Sequence, residues 1–276
     1  MIKRIAVSLA LFAVTMVGAA GAFGGQQPKP APPGMDEIIR KFASAESRNK
    51  KARNNYTYTQ DFDIKTLGIG GYITGEFHRV SDIVYDDRGN RVEKITFFPQ
   101  PTLTELVITK EDMDDLAGVQ PFALSLEDLP KYQVDYSGKE RVDELQTYVF
   151  DVKPRQLVKG QRYFEGRIWV DDEDLQIVKA KGKGVPDEGG QQFPHFESYR
   201  ENIDGKYWFP TYVYADDELV FKKGPTVHMK MIVRYTAYKK FSGNITLVDE
   251  APATDAGKEN SDSKKPADKT PPPRKP

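Results

Sequence analysis

The chain has 276 residues, 40 basic and 41 acidic side chains, a formal net charge of −1 and no cysteine. The lack of cysteine excludes disulfides, thiolate metal sites and thiol nucleophiles. Because the charges are balanced and form no basic stripe, nucleic acid and an anionic bilayer are both disfavoured as partners.

The first residues are typical of a signal peptide. Lys3 and Arg4 precede an apolar run over residues 5–17, and small residues flank Gly21. The pattern predicts a signal peptide over residues 1–22, with cleavage before Phe23 and export to the periplasm. An uncleaved anchor is the alternative, but the apolar run is short for a membrane span.

Both ends of the mature chain are of low complexity. Residues 23–34 form a linker rich in Pro, Gly and Gln, and residues 251–276 are rich in Lys, Asp, Ser and Pro. A segment with so few apolar side chains cannot bury a core, so residues 251–276 are predicted to be a disordered tail. One folded domain is predicted over residues 35–250, which is long enough for a substantial core.

The folded part begins with a helix and continues with strands. Ile38, Ile39 and Phe42 recur at helical spacing, which predicts a helix over residues 35–53. Alternation of apolar and polar residues then predicts a hairpin at 163–182 and strands at 56–64, 72–85, 91–98, 132–137, 145–152, 196–202, 207–214 and 227–238.

A short helix is predicted to interrupt the strands at residues 109–118. Thr109 is the expected N-cap, Asp112 lies three residues further on, and Gly118 is the expected stop. Two helices with nine or ten antiparallel strands predict an α+β fold. We expect a single strongly curved antiparallel sheet, an incomplete barrel, with helices on its concave side. A closed lipocalin-like barrel is the alternative.

Titratable residues form no recognisable catalytic or metal-binding motif. The three histidines, His78, His195 and His228, are far apart in sequence. His195 and Glu197 would share a strand face, which is only half of a metal site. The acidic run at 171–174 lacks the spacing of a calcium loop and is interpreted as a solvated turn. No enzyme activity, metal or cofactor is therefore predicted.

The last predicted strand has the clearest alternation. Its apolar face carries Val227, Met229, Met231, Val233, Tyr235 and Ala237, and its other face carries charged and polar residues. This face either packs against helices or lines a groove for a hydrophobic guest, with methionine as an adaptable lining. Aromatic residues are dense enough, at 11% of the chain, to supply more than one surface.

The central hairpin carries a family resemblance. Residues 166–182 read GRIWVDDEDLQIVKAKG and follow the apolar segment TYVFDV at 147–152. This pattern resembles the outer-membrane lipoprotein-sorting proteins, the periplasmic LolA-like superfamily, in which an apolar strand ends in a WVD or WID turn. The resemblance implies an incomplete barrel with helices as a lid over a cavity for acyl chains. Residues 184–192 and the tail depart from that pattern.

These observations predict a monomeric, non-enzymatic periplasmic carrier that binds a lipid or a lipidated protein. The expected cavity lining is Val227, Met229, Met231, Val233 and Tyr235 on the last strand, with Ile38 and Phe42 on the helical lid. The alternative is an envelope sensor or protein-interaction module of the same fold, which would use its aromatic surface to bind a protein partner.

Overall fold

The computed structural model describes residue 32 and residues 34–86, 88–187, 192–221 and 224–241. The predicted signal peptide, almost all of the predicted linker and the predicted tail lie outside these residues. The helices and turns are α1 (Met35–Arg53), α2 (Lys110–Asp114), a π-helical turn (Asp115–Val119) and a 3₁₀ turn (Leu129–Lys131). The strands are β1 (Tyr56–Leu67), β2 (Ile73–Tyr85), β3 (Arg91–Phe97), β4 (Tyr132–Val142), β5 (Leu145–Pro154), β6 (Tyr163–Asp171), β7 (Ile177–Val185), β8 (Phe196–Ile203), β9 (Tyr207–Val220) and β10 (Thr226–Lys240).

The ten strands form one antiparallel sheet in the order β3-β2-β1-β10-β9-β8-β7-β6-β5-β4. The first and last strands of the described chain meet at the β1–β10 pair, while β3 and β4 are edges. The prediction of an antiparallel sheet is confirmed, and the closed barrel is wrong because the two edges do not pair. The placement of helices on a concave side stays a prediction, since strand order fixes the pairing and not the curvature.

One face of the sheet builds the main core. In β1 every second residue is buried, among them Tyr58, Phe62 and Ile64. Phe42 of α1 is completely buried in the same core, with its ring 5.2 Å from that of Phe150. Leu116 and Val119 of the π-helical turn join the core too. Helix α1 and the π-helical turn therefore pack on the same sheet face.

A smaller apolar cluster lies on the other face. It consists of Val149, Trp169 and Val178, with Trp208 packed against it. The indole Nε1 of Trp169 donates a hydrogen bond of 2.7 Å to Glu140, so the one polar atom of this ring is satisfied. The aromatic residues of the predicted hairpin and of β9 thus serve two separate clusters.

The predicted alternation of the last strand fails after Tyr235. Ala237 is exposed and has a left-handed backbone, with φ of 54°, and the pairing of β1 with β10 shifts register between Thr57 and Thr59. This bulge turns Tyr238 toward the core, where its ring lies 5.1 Å from that of Tyr58. A bulge inserts one residue and so reverses which side chains face inward.

The sequence predicts a solvated acidic turn at 171–174, but the structure shows this turn only partly solvated. Asp171 is buried, and its Oδ2 accepts hydrogen bonds from the backbone N–H groups of Glu173 and Asp174 at 3.2 and 2.6 Å. A short acidic side chain that accepts bonds from the next residues stabilises a tight turn. The first carboxylate of the run is therefore part of the hairpin's structure.

The predicted cap of the short helix is confirmed. The N–H of Thr109 donates to Asp112 Oδ2 at 2.7 Å, and Thr109 Oγ1 accepts from the N–H of Asp112 at 3.3 Å. The predicted stop at Gly118 is wrong, because α2 continues into the π-helical turn Asp115–Val119. That wider turn carries Leu116 into the core. Among the described residues, no helix has both the length and the apolarity needed to cross a bilayer.

Candidate functional site

A cavity of about 330 Å³ lies on the buried face of the sheet, against β10 and the neighbouring strands. Its apolar walls come from alternate, inward-facing residues of β1, β8, β9 and β10: Phe62, Ile64, Phe196, Leu219, Val227, Met229 and Met231. The volume is at the lower end of the roughly 300–1,000 Å³ typical of small-molecule pockets. It fits a single small or chain-like guest.

Three irregular segments close the cavity. They are residues 105–108 before α2, residues 192–194 before β8, and Phe221, Gly224 and Pro225 between β9 and β10. Ile108 packs against the core, whereas Val107 is largely exposed. Loops of this kind connect the rigid strands and are the parts of the wall best able to move.

The structure brings together three of the predicted lining residues. Val227, Met229 and Met231 all line the cavity, because they alternate along β10 on its buried face. Val233 and Tyr235 are buried further along the same strand and do not border it. These two residues lie away from the cavity because β10 is long and extends beyond it.

The two predicted lid residues lie elsewhere. Phe42 is completely buried against Phe150, and Ile38 is partly buried against the core. Neither borders the cavity. The cover of the cavity therefore comes from the loops and not from α1.

A buried ion pair holds Asp115, one of the polar residues of the wall. Arg162 donates two hydrogen bonds to the carboxylate of Asp115, at 2.8 and 2.7 Å, and a third to the carbonyl oxygen of Pro186. The guanidinium also lies 3.8 Å from the centre of the Phe193 ring. Burial raises the pKa of the Asp115 carboxyl, and the guanidinium of Arg162 opposes this effect. The pair ties the π-helical turn to the segment before β6.

Glycine at position 184 makes room for this ion pair. A Cβ atom at Gly184 would lie 2.0 Å from Asp115 Oδ2 and 2.6 Å from Arg162 Nη2. Both distances are shorter than real contacts allow. The strand β7 can therefore pass beside the pair only without a side chain at this position.

Gln120 supplies a second polar group in the wall. The residue is 5% exposed, and its Nε2 lies 3.4 Å from the sulfur of Met231. Thioether sulfur is a weak acceptor and has no hydrogen to donate. The group of Gln120 that faces it is therefore the amide nitrogen and not the amide oxygen. The Oε1 atom has no hydrogen-bond partner among the described residues. An unsatisfied buried acceptor costs about 1–3 kcal/mol of stability.

Glu46 and Arg200 form a second buried ion pair, away from the cavity. Arg200 Nη1 lies 3.1 Å from each carboxylate oxygen of Glu46, and Glu46 Oε1 also accepts from the N–H of Ile177 at 2.9 Å. Arg200 donates as well to the carbonyl oxygen of Phe122. These bonds fix α1 to β7 and β8.

His195 and Glu197, which would form only half of a metal site on a shared strand face, have other partners in the structure. His195 Nδ1 lies 2.9 Å from Asp217, whereas Glu197 is bonded to Lys181, Lys179 and Tyr199. Hydrogen bonds from Lys181 and Tyr199 lower the pKa of Glu197 to about 2. Within the described part of the chain, no three acidic or histidine side chains converge as metal ligands.

Sequence reasoning did not identify the polar residues of the wall. Asp115 falls within the helix predicted at residues 109–118, Gln120 lies after it, and Arg162, the partner of Asp115, lies just before the predicted hairpin. Neither their spacing in the sequence nor the composition around them indicates that these residues lie close together. At Gln120 the sequence shows only a polar residue between the apolar Val119 and Pro121. This pattern predicts at most that Gln120 is buried, and not that it lines a cavity.

No protein-family model and no curated protein matches the sequence. Solved structures do match. A LolA superfamily protein from Nitrosomonas europaea is 15% identical with a TM-score of 0.33, over 72% of this chain and 94% of that one. A DUF1329 family protein from Desulfovibrio piger is 12% identical with a TM-score of 0.38, over 75% and 94%.

An outer membrane lipoprotein-sorting protein domain from Vibrio parahaemolyticus is 10% identical with a TM-score of 0.33, over 74% of this chain and 93% of that one. The first and third of these proteins belong by name to the family that residues 166–182 resemble.

Proposed function

We propose that this chain is a non-enzymatic periplasmic protein that binds one apolar chain of a lipid or of a lipidated protein. The observation that carries the proposal is the cavity of about 330 Å³ beside Met229 and Met231. Mainly apolar pockets with a few polar groups are the usual sites of small-molecule guests, and this cavity has that kind of lining.

The energy of binding would come from burial of methylene groups. Each buried CH₂ contributes about 0.8 kcal/mol, which corresponds to roughly a fourfold gain in affinity. Methionine side chains suit such a guest, because they are flexible and adapt to its shape. The predicted signal peptide would place the protein in the compartment where such guests are transferred between membranes.

We propose that residues 105–108, and not α1, move to admit the guest. Opening α1 would break the buried contact of Glu46 with Arg200. The segment before α2 is attached by an exposed hydrogen bond of 3.0 Å from Thr74 to Glu105, which costs less to break than a buried ion pair. Functional motions usually involve segments that are held weakly.

The first prediction tests the cavity with a matched pair of substitutions. Val227→Phe is expected to fill part of the space, to keep or raise the melting temperature and to weaken binding of a tetradecyl-chain probe at least tenfold. Val220→Phe, on the exposed end of β9, is the control and is expected to leave binding unchanged, because Val220 does not line the cavity. Displacement of a fluorescent alkyl probe measures both.

A series of chain lengths completes the test. We expect affinity to rise about fourfold with each added methylene until the cavity is full, and then to level off. A flat series together with an unaffected Val227→Phe variant would contradict lipid binding at this site.

A protein-interaction module is the second candidate, favoured by the edge strand β3. Three side chains there or just after it are about half exposed: Ile95, Phe97 and Phe98. An edge strand offers unpaired backbone groups as well, to which a partner's strand can pair. A flat chain-length series combined with a stable complex that Phe97→Lys abolishes would favour this candidate.

A further inference from the structure

The polar groups of the cavity wall restrict the chemistry of the guest, on the premise that the proposed function is correct. The charged residues of the wall are Glu105, Asp112 and Asp115. No Lys, Arg or His belongs to the wall as far as the described residues show, while Lys222 and Lys223 lie outside them. An anionic headgroup would meet like charge in this space.

All three of these carboxylates already have protein partners. Asp112 accepts the N–H of Thr109, and Asp115 is held by two hydrogen bonds from Arg162. Glu105 accepts from the hydroxyl of Thr74 at 3.0 Å. Because these carboxylates are already hydrogen-bonded within the protein, a guest would be recognised by another residue of the wall.

Gln120 is the polar group of the wall whose acceptor is unused. Its Oε1 is buried and has no hydrogen-bond partner among the described residues, while its Nε2 faces the sulfur of Met231. Gln120 lines the cavity, and its terminal torsion is broad, so rotation about that torsion can turn this oxygen toward a donor there. Buried acceptors in native proteins are normally satisfied, and an exception points to a group that binds there.

We infer that the guest of this cavity carries an uncharged hydrogen-bond donor next to its apolar chain, such as an amide N–H or a hydroxyl, and that Gln120 Oε1 accepts from it. The apolar chain lies against Met229, Met231 and Leu219. A free fatty acid in its carboxylate form offers no donor and adds a negative charge beside Glu105 and Asp112. Gln120 is thus a residue that determines specificity.

The experiment compares tetradecanamide with tetradecanoate at a pH at which the acid is ionised. The wild-type protein is expected to bind the amide more tightly. Gln120→Met, which replaces the amide with an apolar group of similar shape, is expected to lose about three- to tenfold in affinity for tetradecanamide, the effect of one neutral hydrogen bond. Its affinity for tetradecanoate is expected to stay the same or to rise.

Gln133→Met is the matched control. Gln133 is half-buried on β4, donates to Asp135 and does not line the cavity, so its substitution is expected to change neither affinity. The melting temperature of Gln120→Met is expected to be unchanged or higher, because the substitution removes an unsatisfied acceptor. A loss of affinity for the amide is then a loss of a specific bond and not of the fold.

The outcomes separate the two proposals. If neither compound binds the wild-type protein, the proposed function fails. If both bind and Gln120→Met affects them equally, or if the acid binds more tightly than the amide, the cavity still holds an apolar chain and the role of Gln120 is overturned.

Discussion

At the residue scale, two buried ion pairs have different roles. Asp115–Arg162 borders the cavity, whereas Glu46–Arg200 holds α1 on the sheet. A buried pair stabilises little when compared with apolar packing, but the loss of one partner leaves a charge without compensation. Each pair therefore fixes the position of an element more than it adds net stability.

The second prediction concerns Glu46. Glu46→Ala is expected to lower the free energy of unfolding by about 3–5 kcal/mol, because Arg200 would remain buried without its carboxylate. Glu37→Ala on the same helix is the control, since its pair with Lys41 is exposed and contributes little to stability. Urea unfolding monitored by circular dichroism measures both. A loss below about 1 kcal/mol for Glu46→Ala would mean that α1 is held weakly and is itself a possible lid.

At the element scale, the β6–β7 hairpin depends on a pair of glycines. Gly166 and Gly182 are opposite each other in the strand register. A Cβ atom at Gly166 would lie 2.2 Å from the carbonyl oxygen of Lys181 and 2.5 Å from the Cα atom of Gly182. The two strands therefore approach more closely here than side chains permit. The sequence predicts the hairpin from its alternation, but only the pairing shows why these positions are glycine.

The third prediction tests this close approach. Gly166→Ala is expected to destabilise the protein by about 1–3 kcal/mol, as overpacking does, because the new Cβ meets backbone atoms and cannot be accommodated by a side-chain rotation. Gly118→Ala is the control, since its Cβ would meet nothing within 4 Å. That control is expected to be neutral or to stabilise by about 0.4–1 kcal/mol. Equal effects of the two substitutions on the free energy of unfolding would contradict the argument.

At the scale of the whole molecule, the sheet unites distant parts of the sequence. β1 follows α1 and pairs with β10, so the first and last strands of the described chain lie side by side in the interior of the sheet. The N–H of Phe241 donates to the carbonyl oxygen of Asn55 at 3.0 Å and extends this contact. The order and register of the strands bring β1, β8, β9 and β10 around one cavity.

The fourth prediction concerns the C-terminal segment. A chain that ends after Phe241 is expected to unfold with the same free energy as the full mature chain, within about 0.5 kcal/mol, since the residues removed are predominantly polar and charged. Urea unfolding of the two chains is the measurement. A larger loss would show that residues 242–276 contribute to the fold.

Most of the fold could be predicted from local patterns. Period-two alternation identified the strands because one face of each is buried, and capping chemistry identified Thr109 at the start of α2. Prediction failed where a single residue changes the geometry, as at the bulge of Ala237 and in the π-helical turn after Asp114. Such features depend on pairing across the sheet and leave little trace in composition.

The sequence by itself determined the antiparallel strands, the two helices and the apolar face of β10, because each depends on residues that are close along the chain. It also placed Val227, Met229 and Met231 together, since alternation alone puts them on one face. Only the tertiary structure decided that Val233, Tyr235 and Phe42 lie away from the cavity, and that Gln120 belongs to its wall. A cavity is formed by distant segments that meet, and neither their meeting nor an unused hydrogen-bond acceptor is encoded in any local pattern.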